Sequence, residues 1–375
     1  MKRRVLFVAN GHGENAIAAR IARELAGDCA TALFPLVGEG AGHPGVAVVG
    51  PRRSMPSGGL VAMFNVRAFA RDVAAGFVRL FAAQVAWLFR EASRYDAVVA
   101  VGDAFGLALA LLARRPTVFV GTAKSVYVAP YGPFERVLLR RARRAFVRDA
   151  ATAAALRARR TAACAAGNVI VDLLDDAPAA RSGRWIGLLP GSRMEAYRDA
   201  VRLARVVRAL ATLQPGASAL CSCAPTLDVS GFQQALAADG WVVLPGIDAE
   251  TAFEASAGDA RLIGWRGNLG GLLRASVAVV GQAGTANEQA AALGLPVFAL
   301  GELGVGADWY RMRQRRLLGD ALAILPAEPA AAAAALAEAL ANGSQLSRMR
   351  AAGPERMGAA GGARAIAQAI REIVR

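Results

Sequence analysis

At 375 residues the chain exceeds the usual size of one domain, so two are expected, and with 55% of its residues apolar it can bury two cores. The formal charge of +15 comes almost wholly from arginine, the only lysines being Lys2 and Lys124, and such an excess suits phosphorylated ligands or an anionic membrane surface. No zinc finger, aromatic-basic run or basic tail accompanies it, which argues against nucleic acid, and Cys29, Cys164, Cys221 and Cys223 lack metal or redox spacing, which fits a reducing cytoplasm.

Met1-Lys2-Arg3-Arg4 leads into only five apolar residues, too few for a signal peptide. Those residues, Val5 to Ala9, read as a strand, Asn10-Gly11-His12-Gly13 as its exit turn, and Glu14 to about Leu25 as a helix. The turn is not the dinucleotide fingerprint, because Glu14, Asn15 and Ala16 stand where the third glycine and its spacers belong, and a nicotinamide enzyme is disfavoured. Open α/β sheets bind ligands at the carboxyl ends of their strands. His12 or Glu14 is therefore a candidate general base toward a sugar hydroxyl, with Gly11 and Gly13 lining the substrate, although a loop or cap role for His12 fits too.

Strands follow near 31–34 and 46–49. The stretch 59–90 is the most apolar of the chain, but Arg67, Arg71, Asp72 and Arg79 interrupt it, which argues against a membrane span. Val66, Phe69, Val73, Phe77, Leu80, Phe81 and Leu88 recur at helical spacing with the arginines on another side. This fits a core-facing helix, or an interfacial face that brings the protein to an anionic bilayer.

A strand at 97–101 runs into Asp103, which opens a helix at 104–112. Asp103 is an N-cap by position and, at a strand's carboxyl end, also a candidate acid, base or acceptor-orienting residue. After a strand at 117–120 comes Gly121-Thr122-Ala123-Lys124-Ser125. Where arginine has replaced nearly every lysine, Lys124 suggests a compact charge for a single phosphate, with Ser125 beside it; chance survival is the alternative. A strand at 145–147 completes a first domain, 1–170, and the breakers Pro178 and Gly183 mark a linker at 171–184.

The pattern resumes at 185–189 with an apolar run that stops at Pro190-Gly191. Ser192-Arg193 then reads as the start of a helix whose unpaired N–H groups can hold a phosphate, Arg193 adding a bidentate donor. Strands at 217–221, 241–244, 277–280, 297–300 and 321–325 and a helical tail from 330 onward complete a second domain, 185–375. The alternation of short apolar strands and helices argues an α/β protein with parallel sheets. After the strand at 277–280, Gly281-Gln282-Ala283-Gly284-Thr285 and a helix over 286–293 make a second diphosphate cradle, with Asn287, Glu288 and Gln289 placed to accept ribose hydroxyls. Either turn alone is an ordinary strand-turn-helix. Two in one half of the chain favour a diphosphate site.

Leu188-Leu189-Pro190-Gly191-Ser192-Arg193-Met194-Glu195 is similar to the LPGSR-x-x-E signature of lipid-A-disaccharide synthases. Gly284-Thr285-Ala286-Asn287-Glu288-Gln289 followed by Gly294-Leu295-Pro296-Val297 resembles their GTA-x-x-E…P segment. Resemblance to a branch related to that family implies the GT-B architecture: two facing Rossmann-like domains, a UDP-sugar held mostly by the C-terminal one, an acceptor on the N-terminal one, and metal-free inverting transfer in the cleft. Arg193 would contact the diphosphate and Gly191, Ser192, Gly284 and Thr285 would cradle it. Gln289 stands where the family has its glutamate and Glu288 one place early, so which of the two meets the nucleotide is open. Asp103 matches the family's aspartate after a middle strand, while the opening turn and Thr122 to Ser125 depart from the pattern, where the acceptor should bind.

The activity expected is that of an inverting hexosyltransferase moving N-acetylglucosamine or a derivative from UDP to a glycolipid or other amphiphilic acceptor at the inner face of the cytoplasmic membrane. The UDP-sugar is co-substrate, with no further cofactor, no metal and no set oligomeric state. His12, Glu14 or Asp103 would deprotonate the acceptor hydroxyl. The alternatives are a UDP-N-acetylglucosamine 2-epimerase of the same fold and a non-catalytic sugar-nucleotide sensor.

Overall fold

A computed structural model of the chain describes residues 2–38, 45–53, 66–174, 179–302 and 309–375, apart from the side chains of His12 and of residues 66–69. The chain divides into two compact units, Met1–Leu173 with Ala360–Arg375, and Leu174–Ala359.

The first unit holds six strands, β1 Arg3–Ala9, β2 Cys29–Pro35, β3 Ala47–Val48, β4 Ala97–Gly102, β5 Thr117–Gly121 and β6 Arg144–Phe146. They lie in the order β3-β2-β1-β4-β5-β6, all parallel. Along β1, Val5, Phe7 and Ala9 pack with Ile17, Ile21 and Leu25 of the helix His12–Leu25, whereas Leu6 and Val8 join Leu88, Leu107 and Phe119 on the other face. With both faces covered, the strand reads as one unbroken apolar run. The direction of winding reverses between β1 and β4, and a ligand crevice opens beyond the carboxyl ends at such a point.

The second unit holds β7 Trp185–Leu189, β8 Ser218–Ser222, β9 Val242–Pro245, β10 Thr251–Ala257, β11 Ala260–Trp265, β12 Ser276–Gly281, β13 Val297–Leu300 and β14 Leu322–Leu325. Their order is β14-β13-β12-β7-β8-β11-β10-β9, with the reversal between β7 and β12. The sheet is parallel apart from one strand. β10 runs antiparallel to both β11 and β9, because Gly258-Asp259, with Gly258 at φ 59°, closes a two-residue hairpin turn between the paired Ala257 and Ala260.

One correction concerns the C-terminus. The sequence reading carries the second domain to Arg375, yet the last helix, Gly362–Val374, belongs to the first unit, where Ile366, Ala367 and Ile370 share a core with Val5 and Phe7. Gly361 at its N-terminus offers no side-chain cap. Asp172 supplies one instead, its Oδ1 accepting from Gly361 N and its Oδ2 from Ala363 N, each at 2.6 Å.

The apolar stretch is described from residue 66 on; 54–65 lie outside the described residues. It forms two helices, Val66–Ala74 and Phe77–Glu91, parted at Gly76 with φ 95°. The second buries Gln84 and Leu88, Gln84 Nε2 donating to Leu36 O at 2.8 Å. Val73, assigned to the core-facing stripe, is exposed, as are Val78 and Phe89. No helix among the described residues is long and apolar enough to cross a membrane.

Candidate functional site

In the second unit the two glycine turns, far apart in sequence, leave neighbouring strands at the point of reversal. β7 and β12 pair with Leu189 opposite Gly281, and the N–H groups of Gln282 and Ala283 both donate to Leu189 O, at 2.9 and 3.0 Å. The first turn departs from expectation in one respect. Its helix opens at Ala196 instead of Ser192, so Ser192 and Arg193 stand on a loop, anchored where Thr226 Oγ1 donates to Ser192 O at 3.2 Å. Gly191 at φ 116° needs glycine there. Arg193 is exposed, its carbonyl accepts from Ala196 N at 2.9 Å, and its side chain makes no hydrogen bond or ion pair among the described residues, which leaves the planar guanidinium available to an anion.

The second turn ends at Gly284, the N-cap of the helix Thr285–Ala292, and no side chain caps that end. The first N–H groups of the helix therefore have no intrahelical acceptor. Asn287 was expected to face a ribose but is 0% exposed. Its Nδ2 donates to Gly281 O at 3.1 Å and to Gln314 Oε1 at 3.2 Å, so it shapes the turn from within. Gln289 is buried as well, whereas Glu288 is half-buried.

Sequence reasoning missed the helix Trp309–Leu318, which packs under this turn. Gln314 Nε2 donates to Ala283 O at 3.0 Å and to Gly284 O at 3.3 Å, and Arg311 Nη1 donates to Gln282 O at 3.2 Å. Arg311 is 5% exposed; burial pushes its guanidinium down from the usual arginine range, and Glu302, 3.7 Å away, works against that. Glu302 also pairs with Arg202 at 3.0 Å. The Tyr310 hydroxyl stands over Gly284, 2.6 Å from where a Cβ would lie.

In the first unit the ends of β1, β4 and β5 bring several candidates together. Asp103 accepts from Gly106 N with Oδ1 at 2.9 Å, capping the helix Ala104–Leu112, and from Asn10 Nδ2 with Oδ2 at 3.1 Å. Both oxygens are engaged, and the cap role holds. Glu14 lies across the end of β4, its Cγ 3.0 Å from where a Cβ on Gly102 would be, and Thr122 Oγ1 donates to its Oε1 at 3.5 Å. Gly11 is buried at φ 131° and Gly13 exposed; the His12 side chain lies outside the described residues.

The two remaining candidates have partners within the unit. Lys124 Nζ pairs with Glu135 Oε2 at 2.7 Å and sits 5.9 Å from the centre of the Tyr131 ring, so its charge has a partner within the protein. Ser125 is 0% exposed, its Oγ accepting from Tyr127 N at 3.3 Å, and it cannot touch a substrate. Burial also pushes the Tyr131 hydroxyl up, Glu135 adding to the effect. Arg148, buried after β6, donates from Nη1 to Thr122 O at 3.3 Å, a link across the sheet edge that no local pattern announces.

Two Rossmann-like units, each with its candidate residues at the reversal of its sheet, define an α/β chain of the GT-B glycosyltransferase-like fold. Solved structures bear this out over nearly the whole length. The chain is similar to a Listeria monocytogenes protein assigned as a UDP-N-acetylglucosamine 2-epimerase, at 13% identity and a TM-score of 0.63 over 99% of this chain and 96% of that one. It is also similar to MurG of Acinetobacter baumannii, at 15% identity and a TM-score of 0.60 over 99% of each chain. The Neisseria meningitidis UDP-GlcNAc 2-epimerase bound to UDP-GlcNAc aligns over 99% of each chain at 13% identity and a TM-score of 0.57. No protein-family model and no curated protein matches the chain.

Proposed function

We propose that the chain is an inverting glycosyltransferase that moves a sugar, N-acetylglucosamine or a derivative, from UDP to a glycolipid or other amphiphilic acceptor. The observation that carries this reading is the pair of turns at β7 and β12. One presents an Arg193 side chain with no partner among the described residues and the other a helix end with no side-chain cap, which together suit a diphosphate. Glu288 would meet the ribose. In the first unit Glu14 would take the proton of the acceptor hydroxyl as its oxygen bonds to the anomeric carbon. UDP would leave from the opposite side with the electron pair, its charge received by Arg193 and the N–H groups near Thr285. His12 is the alternative base, and Asp103 holds Asn10 and the helix start in place. The reaction so written takes the UDP-sugar as co-substrate and no further cofactor.

The 2-epimerase reading has support in the fold likeness to two such proteins. Against it stands a surface that an epimerase of a soluble nucleotide does not need: exposed Val73, Val78 and Phe89 beside exposed Arg71, Arg79 and Arg90 on the helices of 66–91. Such a face suits an anionic bilayer that carries a lipid acceptor. Labelled UDP-N-acetylglucosamine is incubated with the protein alone and with glycolipid in anionic vesicles. Label passing to lipid only in the vesicle arm is expected; an isomer of the nucleotide sugar formed without acceptor would establish the epimerase instead, and UDP-sugar binding without turnover in either arm would make the protein a sensor.

A further inference from the structure

We infer that the helix Trp309–Leu318 is a working part of the diphosphate cradle, with Gln314 as a positioning residue that sets which way the peptide groups of the second glycine turn face. The inference rests on reading that turn as the seat of a UDP-sugar. A peptide group carries its C=O and N–H on opposite sides. Gln314 Nε2 holds the carbonyls of Ala283 and Gly284 at 3.0 and 3.3 Å, so the N–H groups that follow, on Gly284 and Thr285, are turned away from Gln314. The Gly284 N–H finds no acceptor among the described residues. Arg311 does the same one step earlier, holding Gln282 O while the Ala283 N–H donates to Leu189 O.

The orientation of the Gln314 amide is itself fixed. Its Oε1 accepts from Asn287 Nδ2 at 3.2 Å, which leaves Nε2 for the carbonyls. At the turn three further polar atoms are buried without a partner among the described residues, Arg311 Nε, Gln282 Oε1 and Asn287 Oδ1, on residues 5%, 7% and 0% exposed. Buried polar atoms left unpaired are uncommon and mark a place where a ligand or water completes the set. Above the turn the Tyr310 hydroxyl stands over Gly284 on a side chain that is 42% exposed, within reach of whatever the two N–H groups hold.

The test compares two ligands that differ only in the diphosphate. Gln314→Glu keeps the shape of the side chain but turns an acceptor toward the two carbonyls, and Gln314→Met removes the hydrogen bonds while keeping apolar bulk. Affinities for UDP and for uridine are measured by titration on the full chain. UDP binding weakened at least about tenfold in both variants, with uridine binding changed less than about twofold, is the expected result. UDP affinity equal to that of the parent, or UDP and uridine affinities that fall by the same factor, would overturn the positioning role. A parent chain that binds UDP no better than uridine would instead remove the diphosphate reading on which the inference stands.

Discussion

Arg193 is exposed and carries a permanent charge, and its side chain has no partner among the described residues. Its removal therefore leaves no buried group unsatisfied, and any effect falls on the ligand. Arg193→Ala should weaken UDP binding about tenfold to a hundredfold, the range of a charge-assisted hydrogen bond, and leave the melting temperature of the unliganded protein unchanged. Unaltered UDP affinity in a titration of that variant would take Arg193 out of the donor site. At this scale the sequence is legible where a residue's neighbours in the chain are also its neighbours in space. Gly191 and Gly284, on turns that leave their strands where the pattern puts them, are of that kind. Asn287 and Gln289 are not, because the rotation of the helix about its own axis turns them into the core. Nor is Lys124, whose partner Glu135 lies on the next helix. Gln314 was out of reach altogether, since its hydrogen bonds go to residues some thirty positions earlier.

Among the elements, the parallel strands were the most legible, because a strand covered on both faces is a short apolar run closed by a turn. Trp185–Leu189 and Val297–Leu300 fall where the pattern puts them. The hairpin of β10 and β11 was missed although Gly258-Asp259 is a hairpin signal, since its polar flanks mask the alternation of Thr251, Phe253 and Ala255. The last helix was assigned to the wrong unit for a different reason. Its amphipathic pattern states that one face is buried but not against what, and Asp172 is the residue that ties it to the first unit. Asp172→Asn puts an amide NH₂ where one of two N–H donors needs an acceptor. Hydrogen exchange of the Gly362–Val374 amides should show the helix destabilised by about 2 kcal/mol in that variant. Protection equal to the parent would mean that the cap contributes nothing.

For the molecule as a whole, the doubly wound units and the place where each sheet reverses direct attention to two strand edges, and those edges hold most of the candidate residues. The edge in the second unit is the better defined, since its second turn donates two hydrogen bonds to Leu189 O, where the first turn begins, and has a helix packed against it. The edge in the first unit collects Asn10, Glu14, Asp103 and Thr122, a polar group suited to a hydroxyl-bearing acceptor. The most direct measurement is thermal unfolding of the full chain in the presence of UDP, a UDP-sugar or NAD. At a hundredfold excess over Kd, a ligand that binds only the folded state adds about 2.7 kcal/mol. UDP and UDP-N-acetylglucosamine should raise the melting temperature and NAD should not; stabilisation by NAD equal to that by UDP, or by neither nucleotide, would contradict the donor site.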